Sequence, residues 1–250
     1  MTKIIVYQDY IHSNAQLYRA LAAHFGEDRV YFADAQDILD GILDQNVSAF
    51  VMPGGADLYY VEKLNGTGNA NIRAYVEQGG TYLGICAGAY YGCREIFWAK
   101  DIDGHAICGP RELSFYDGAA HGPVENFIEN GDFFKLHNAA VKLILQDGTK
   151  ATAYYSGGPV FDEPDNTDCV ITRYKDLPDA PPAILNCRTG KGRAVLCSPH
   201  IETSADALLR GHYTKDGGTE RVTAIAATLE QGEAGRHKLW NTVMDLIAPA

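Results

Sequence analysis

The chain predicts an α/β fold built on a parallel sheet, and three observations carry that prediction. Short β-branched runs alternate with segments of helical periodicity as far as Trp98, which is the pattern of βαβ units. Glycines cluster where strands should turn into helices, as in Pro53-Gly54-Gly55 and Gly84-Ile85-Cys86-Ala87-Gly88. The 250 residues are 46% hydrophobic and 21% charged, a globular balance in a chain long enough for one large core.

Lys3–Tyr7 reads as a buried strand because KIIVY is short, apolar and β-branched. Ser13 is placed to cap a helix in which Leu17, Ala20, Leu21 and His24 recur at helical spacing. Val30–Phe32 is a second strand. A helix over Asp34–Leu43 sets Ile38, Ile42 and Leu43 on one face. Ser48–Met52 is a third strand, Asn69–Gln78 a helix stopped by Gly79-Gly80, and Thr81–Ile85 a fourth strand. A helix is expected from Cys86 to about Trp98. From Asp101 to Asp132 the pattern loosens into glycines, prolines and single aromatics. Val141–Leu145, Ala151–Tyr155, Cys169–Tyr174, Ala183–Cys187 and Ala194–Cys197 then read as strands without helices between them, hence largely antiparallel. Thr219–Gln231 and Arg236–Ile247 close the chain as helices. No repeat or low-complexity linker divides it, so a single domain over 1–250 is expected.

The net charge of −11 repels phosphate backbones and argues against nucleic-acid binding. No apolar run reaches the ~20 residues of a membrane span, and MTKIIVYQDY does not read as a signal peptide. The expectation is a cytoplasmic protein without membrane contact. The six cysteines form no CxxC pair, and reduced thiols are expected, with Cys187 and Cys197 acting as small core residues. His121 and His137 lack metal-ligand spacing, so no metal site is expected.

Gly84-Ile85-Cys86-Ala87-Gly88 joins a strand to a helix as a nucleophile elbow does, with cysteine as nucleophile. A helix N-terminus favours a thiolate there. The same five residues also suit a buried cysteine in a small-residue packing turn. Ser198-Pro199-His200-Ile201-Glu202 follows the apolar run RAVLC. Alternate residues of an extended segment share a face, so His200 can act as base and Glu202 as the acid that orients it. Read alone, the pair is also an ordinary strand-end histidine beside a surface glutamate. The third piece, Pro53-Gly54-Gly55-Ala56-Asp57, lies at the end of a strand. The amides of Gly54, Gly55 and Ala87 suit an oxyanion hole; an ordinary glycine turn with Asp57 as a helix cap fits the same residues. Arg111 suits a substrate carboxylate or a structural ion pair. Asp9 reaches toward Cys86 or caps a helix, and Gly157-Gly158-Pro159 reads as a turn without chemistry of its own.

PGGAD, GICAG and H-x-E, in that order and on those elements, resemble the class I glutamine amidotransferase-like superfamily. More narrowly, PGGADLYY, GICAGAYYG, RELSFYDG, SGGPVF and GKGRAVLCSPHIE are similar to the N-terminal amidotransferase-like domain of large biotin protein ligases, from about residue 4 to about residue 205. The resemblance implies a flavodoxin-like three-layer α/β sandwich with a mostly parallel sheet and added antiparallel strands. It also places Cys86, His200 and Glu202 at the triad positions. Two residues depart from the glutamine-hydrolysing pattern: Tyr90 stands where a glutamine helps hold the substrate, and Ile201 where proline is usual. Tyr90, Asp57 and Arg111 are thus candidate substrate-pocket residues. No loop resembling the biotinyl-adenylate loop of the ligase domain is found. The implied activity is a cysteine hydrolase or amidotransferase-like enzyme acting on a small-molecule or peptide amide without cofactor. The alternative is a non-catalytic regulatory or ligand-binding module; a glutaminase subunit serving a synthetase partner is a third reading, weakened by Tyr90.

Overall fold

The computed structural model describes residues 2–8, 14–211 and 218–248. Asp9 and Ser13 lie outside the described residues. In chain order the elements are β1 (Lys3–Tyr7), α1 (Ala15–Phe25), β2 (Val30–Ala33), α2 (Ala35–Leu39), β3 (Val47–Met52), α3 (Asp57–Leu64), α4 (Thr67–Glu77), β4 (Thr81–Ile85), α5 (Ala87–Tyr91), β5 (Cys93–Trp98), β6 (Ile107–Pro110) and β7 (Tyr116–Gly122). They continue as β8 (Asn138–Leu145), β9 (Lys150–Ser156), β10 (Val160–Phe161), β11 (Val170–Tyr174), β12 (Pro182–Thr189), β13 (Gly192–Cys197), α6 (Ala205–Gly211), α7 (Gly218–Gln231) and α8 (Glu233–Ile247).

A nine-stranded sheet runs β2-β1-β3-β4-β13-β12-β11-β8-β9. From β2 to β13 neighbouring strands are parallel, and from β13 to β9 they are antiparallel. The change of direction follows from the connections. Helices carry the chain back over the sheet in the first half, whereas short turns join most strands of the second. Both faces of the sheet are covered, which explains the uninterrupted apolar run of β1. Ile4 and Val6 enter the core on one face, with Leu21 of α1 and Leu239 and Val243 of α8. Ile5 and Tyr7 enter the core on the other, with Tyr60, Ile72 and Tyr91 of α3, α4 and α5. A smaller cluster joins Tyr154 to Leu208 of α6 and to Val222 and Leu229 of α7. No helix among the described residues is long and apolar enough to cross a membrane.

Several expectations are corrected. The helix predicted from Cys86 to Trp98 stops at Tyr91, and Cys93–Trp98 is a strand. Cys93 and Ile96 are both buried, and their three-residue spacing imitates a helix face. The chain turns at Gly92, whose carbonyl accepts from the amides of Phe115 (2.8 Å) and Tyr116 (3.2 Å). β5 then joins a second, four-stranded sheet of order β10-β7-β5-β6. That sheet uses much of the segment read as irregular. The helix expected over Asp34–Leu43 ends at Leu39, because Gly41 at φ 87° turns the chain. Asp34 and Asp37 close a capping box at its start. Helices α3 and α6 were not expected.

Candidate active site

Three adjacent parallel strands each deliver one part of the site at their C-terminal ends, where open α/β sheets place their ligands. Met52 of β3 pairs with Gly84 of β4, so Gly54 and Cys86 each lie two residues beyond that pair. Ile85 pairs with Cys197 of β13, which sets His200 one strand away from Cys86. This register closes a gap of 114 positions in sequence.

Cys86 has φ 51° and ψ −106°, a conformation that side chains other than glycine rarely adopt. The turn holds it there. The Cys86 amide donates to Cys197 O (2.9 Å) and the Gly88 amide to Pro53 O (3.1 Å). Glycine is required at 88, because a Cβ there would collide with the carbonyl oxygen of Met52. The Cys86 side chain is buried, and its Sγ donates to Ser156 O at 3.3 Å. The end of β9, where it enters the Gly157-Gly158-Pro159 turn, therefore forms a wall of the site. Its SGGP motif belonged to the resemblance, and that was the available signal.

His200 is fixed by its amide, which donates to Tyr154 O at 2.7 Å. Its Nδ1 donates to Glu202 Oε1 at 2.7 Å, and the Glu202 side chain is 7% exposed. Arg236 of α8, not singled out by the sequence, clamps the same segment by donating to Ile201 O (2.8 Å) while Glu233 holds its guanidinium. A Cβ at Gly54 would lie 2.8 Å from His200 Cε1 and 3.4 Å from both His200 Nε2 and the Cys86 Cβ. The imidazole, the cysteine and the Gly54 backbone thus surround one point. Gly55 has φ 152°, and Ala87 opens α5 directly after the thiol.

His200 is held well above its ordinary pKa of 6.5: burial opposes the charge, but the Glu202 carboxylate and the hydrogen bonds to Cys86 and Glu202 outweigh it. A raised folded-state value means that the protonated histidine stabilises the fold fully below pH 6.5, and that this contribution is lost as pH rises through the raised value. Glu202→Gln should therefore cost about 1–3 kcal/mol below pH 6.5. The deficit should shrink in the alkaline range. Denaturant titrations of both proteins across pH check this, and a deficit independent of pH contradicts it.

The three pocket candidates are each held by neighbouring groups. Tyr90 is buried, its hydroxyl donates to Gly157 O at 3.2 Å, and its ring meets Trp98 edge-on. Burial pushes its phenol well up, so it stays a donor. Asp57 and Arg111 pair at 2.6 Å with side chains 9% and 7% exposed. Arg111 Nη1 is committed to Pro110 O at 2.9 Å, so the ion-pair alternative describes its present state. His121 bonds to Asp162 (2.8 Å) and stacks on Phe97. The described residues contain no group of three or more His, Cys, Asp or Glu side chains arranged to hold a metal ion.

Comparison with known proteins shows the family. The family model "Biotin-protein ligase, N terminal" matches residues 5–248. The chain belongs to the biotin-protein ligase N-terminal family. One family relative, an uncharacterized protein of Chlamydia muridarum, is 33% identical over 240 residues, covering 92% of each chain. A biotin--protein ligase of Schizosaccharomyces pombe is 30% identical over 183 residues, which cover 70% of this chain and 28% of that protein. The structure of PurLQS from Thermotoga maritima superposes with a TM-score of 0.56 at 15% identity, covering 91% of this chain and 98% of that one. That likeness shows the fold alone, a flavodoxin-like α/β sandwich.

Proposed function

We propose that the chain is a cysteine-dependent hydrolase or amidotransferase-like enzyme acting on an amide carbonyl. The observation that carries this reading is the strained Cys86 elbow beside a His200–Glu202 pair whose imidazole is held strongly basic. His200 Nε2 takes the thiol proton as Cys86 Sγ attacks the carbonyl carbon. The amides of Gly54, Gly55 and Ala87 stabilise the oxyanion. His200 then returns the proton to the departing amine, leaving a thioester. Water, deprotonated by His200, releases the acid and restores the thiol. Glu202 keeps the imidazole in the required tautomer and orientation. No step calls for a metal or organic cofactor.

One observation favours the rival reading, a non-catalytic binding module: Cys86 is only 6% exposed and its thiol is engaged with Ser156 O. Iodoacetamide separates the two. Cys108 is exposed and serves as the ordinary thiol. An activated Cys86 should react about tenfold faster than Cys108 at neutral pH despite its burial. Equal or slower alkylation supports the module.

Free glutamine should be a poor substrate, because Tyr90 occupies the position of the glutamine-holding residue and is locked by Gly157 and Trp98. Tyr90→Gln should lower stability by about 2–4 kcal/mol, as removal of a buried aromatic ring does. Rapid ammonia release from glutamine by the parent protein would overturn the substrate argument.

The 250-residue chain should transfer no biotin to an acceptor protein in the presence of ATP. Its basic turn, Gly190-Lys191-Gly192-Arg193, is committed to the fold: the Lys191 amide donates to Glu77 O at 2.9 Å and that of Arg193 to Gly80 O at 3.3 Å. Those amides are not free to cradle phosphate. Transfer of labelled biotin would refute this.

A further inference from the structure

Two cysteines outside the triad stand side by side. Cys169 ends the 3₁₀ turn Thr167–Cys169, which leads into β11, and Cys187 lies on the neighbouring strand β12. These strands are antiparallel, with Val170 opposite Leu185. Cys169 therefore lies one residue beyond that pair and Cys187 two residues beyond it, at the same end. Cys187 and Val170 are buried in the core that holds Tyr60 and Tyr91, and Cys169 packs against that core. The two thiols are hydrogen-bonded to each other, and neither is in a disulfide.

The other cysteines are engaged elsewhere. The thiols of Cys86, Cys93 and Cys197 donate to the carbonyls of Ser156 (3.3 Å), Ala89 (3.3 Å) and Pro199 (3.1 Å). Cys108 lies on β6, in the four-stranded sheet.

The members of the pair are unequal. Cys187 is 7% exposed, whereas Cys169 is partly exposed and follows the exposed residues 165–168. The hydrogen bond from Cys187 draws the Cys169 thiol down to about 7, against burial and the charges of Glu163 and Asp168. The same bond, together with burial, pushes the Cys187 thiol up. One member is thus an accessible thiolate near neutral pH and the other a protonated thiol in contact with it. An attacking thiol and a resolving thiol have these properties.

We propose that Cys169 and Cys187 form a reversible oxidation site that takes a hydroperoxide as oxidant and closes to a disulfide. Cys169 releases its proton to water and attacks one peroxide oxygen. The S–O bond forms, the O–O bond breaks, and the departing hydroxide is protonated to water. Cys187 Sγ then attacks the sulfenic sulfur. The S–O bond breaks, and the hydroxide leaves with the Cys187 proton as a second water. The two thiols supply the two electrons that reduce the peroxide. None of these steps uses Cys86 or His200, so the site goes beyond the hydrolase reading and does not rest on it.

The test treats the reduced full chain with hydrogen peroxide at neutral pH, blocks free thiols with iodoacetamide and maps the peptides by mass without reductant. The Cys169 and Cys187 peptides should appear joined, and dithiothreitol should separate them. Cys169 should be consumed about fivefold faster than the exposed Cys108. Cys187→Ala should leave Cys169 as a sulfenic acid that dimedone captures, while the parent gives little adduct. Cys169→Ala should leave Cys187 reduced at the same dose. Should either variant fail to fold, the peptide map of the parent decides alone. Three outcomes would each overturn the proposal: a parent Cys169 captured by dimedone rather than joined to Cys187, a linkage of either residue to a different cysteine, or Cys108 consumed as fast as Cys169. Cys86→Ala should give the same linkage as the parent, so an inert Cys86 would end the hydrolase reading and leave this site standing.

Discussion

Cys86→Ala should abolish hydrolysis of any amide the protein accepts, while thermal unfolding stays close to that of the parent. Alanine keeps the Cβ that the elbow already accommodates, and the turn is held by backbone bonds from Cys86 and Gly88 that the change does not touch. The nucleophile alone is lost, and with it the whole covalent route. Glu202→Gln should leave measurable turnover, since the thiol and the base remain and only charge and orientation suffer. The measurement is ammonia release from a panel of primary amides, with unfolding followed by circular dichroism. An active Cys86→Ala protein would sink the mechanism. Gly54→Ala offers an independent check, because its Cβ would press on His200 Cε1 at 2.8 Å. Displacing the imidazole by a fraction of an ångström should slow Cys86 alkylation about a hundredfold without removing either partner.

The residues that carry this site were legible in the sequence because their requirements are local. A strand, a glycine-flanked cysteine and a helix start can be read from five neighbouring letters, and His200 and Glu202 from three. The alternation of strands and helices gave the parallel half of the sheet for the same reason. What escaped notice depends on contacts distant in the chain. β5 was mistaken for a helix because Cys93 and Ile96 stand at helical spacing, and only pairing with β6 and β7 shows the strand. Ser156 comes to Cys86 across 70 positions and contributes a backbone carbonyl, which has no signature in side-chain identity. Arg236 looks like any helix cation until its bond to Ile201 O is seen. Tyr90 was singled out by its spacing from the nucleophile, but the direction of its ring, set by Trp98 and Gly157, has no local signature.

Asp57→Ala should destabilise the fold by about 3–5 kcal/mol, the largest stability effect expected of a single charge here. Asp57 opens α3 directly after the Gly54-Gly55 loop, and its carboxylate meets Arg111 Nε at 2.6 Å. Both side chains are out of water, so removing one strands the other as an uncompensated buried charge. Arg111 is already short of partners, because its Nη2 is buried with none among the described residues. The cost should therefore fall on Arg111 rather than on the lost bond itself. Asp57→Leu combined with Arg111→Met tests that distinction. With no charge left to strand, the double variant should regain most of the stability lost by Asp57→Ala. Cys86 alkylation should recover less, since the pair also anchors the loop that carries Gly54 and Gly55 beside the thiol. Denaturant titration gives the first quantity and iodoacetamide kinetics the second. If the double variant is as unstable as Asp57→Ala, the buried charge is not what costs stability and the pair acts through its hydrogen bond alone.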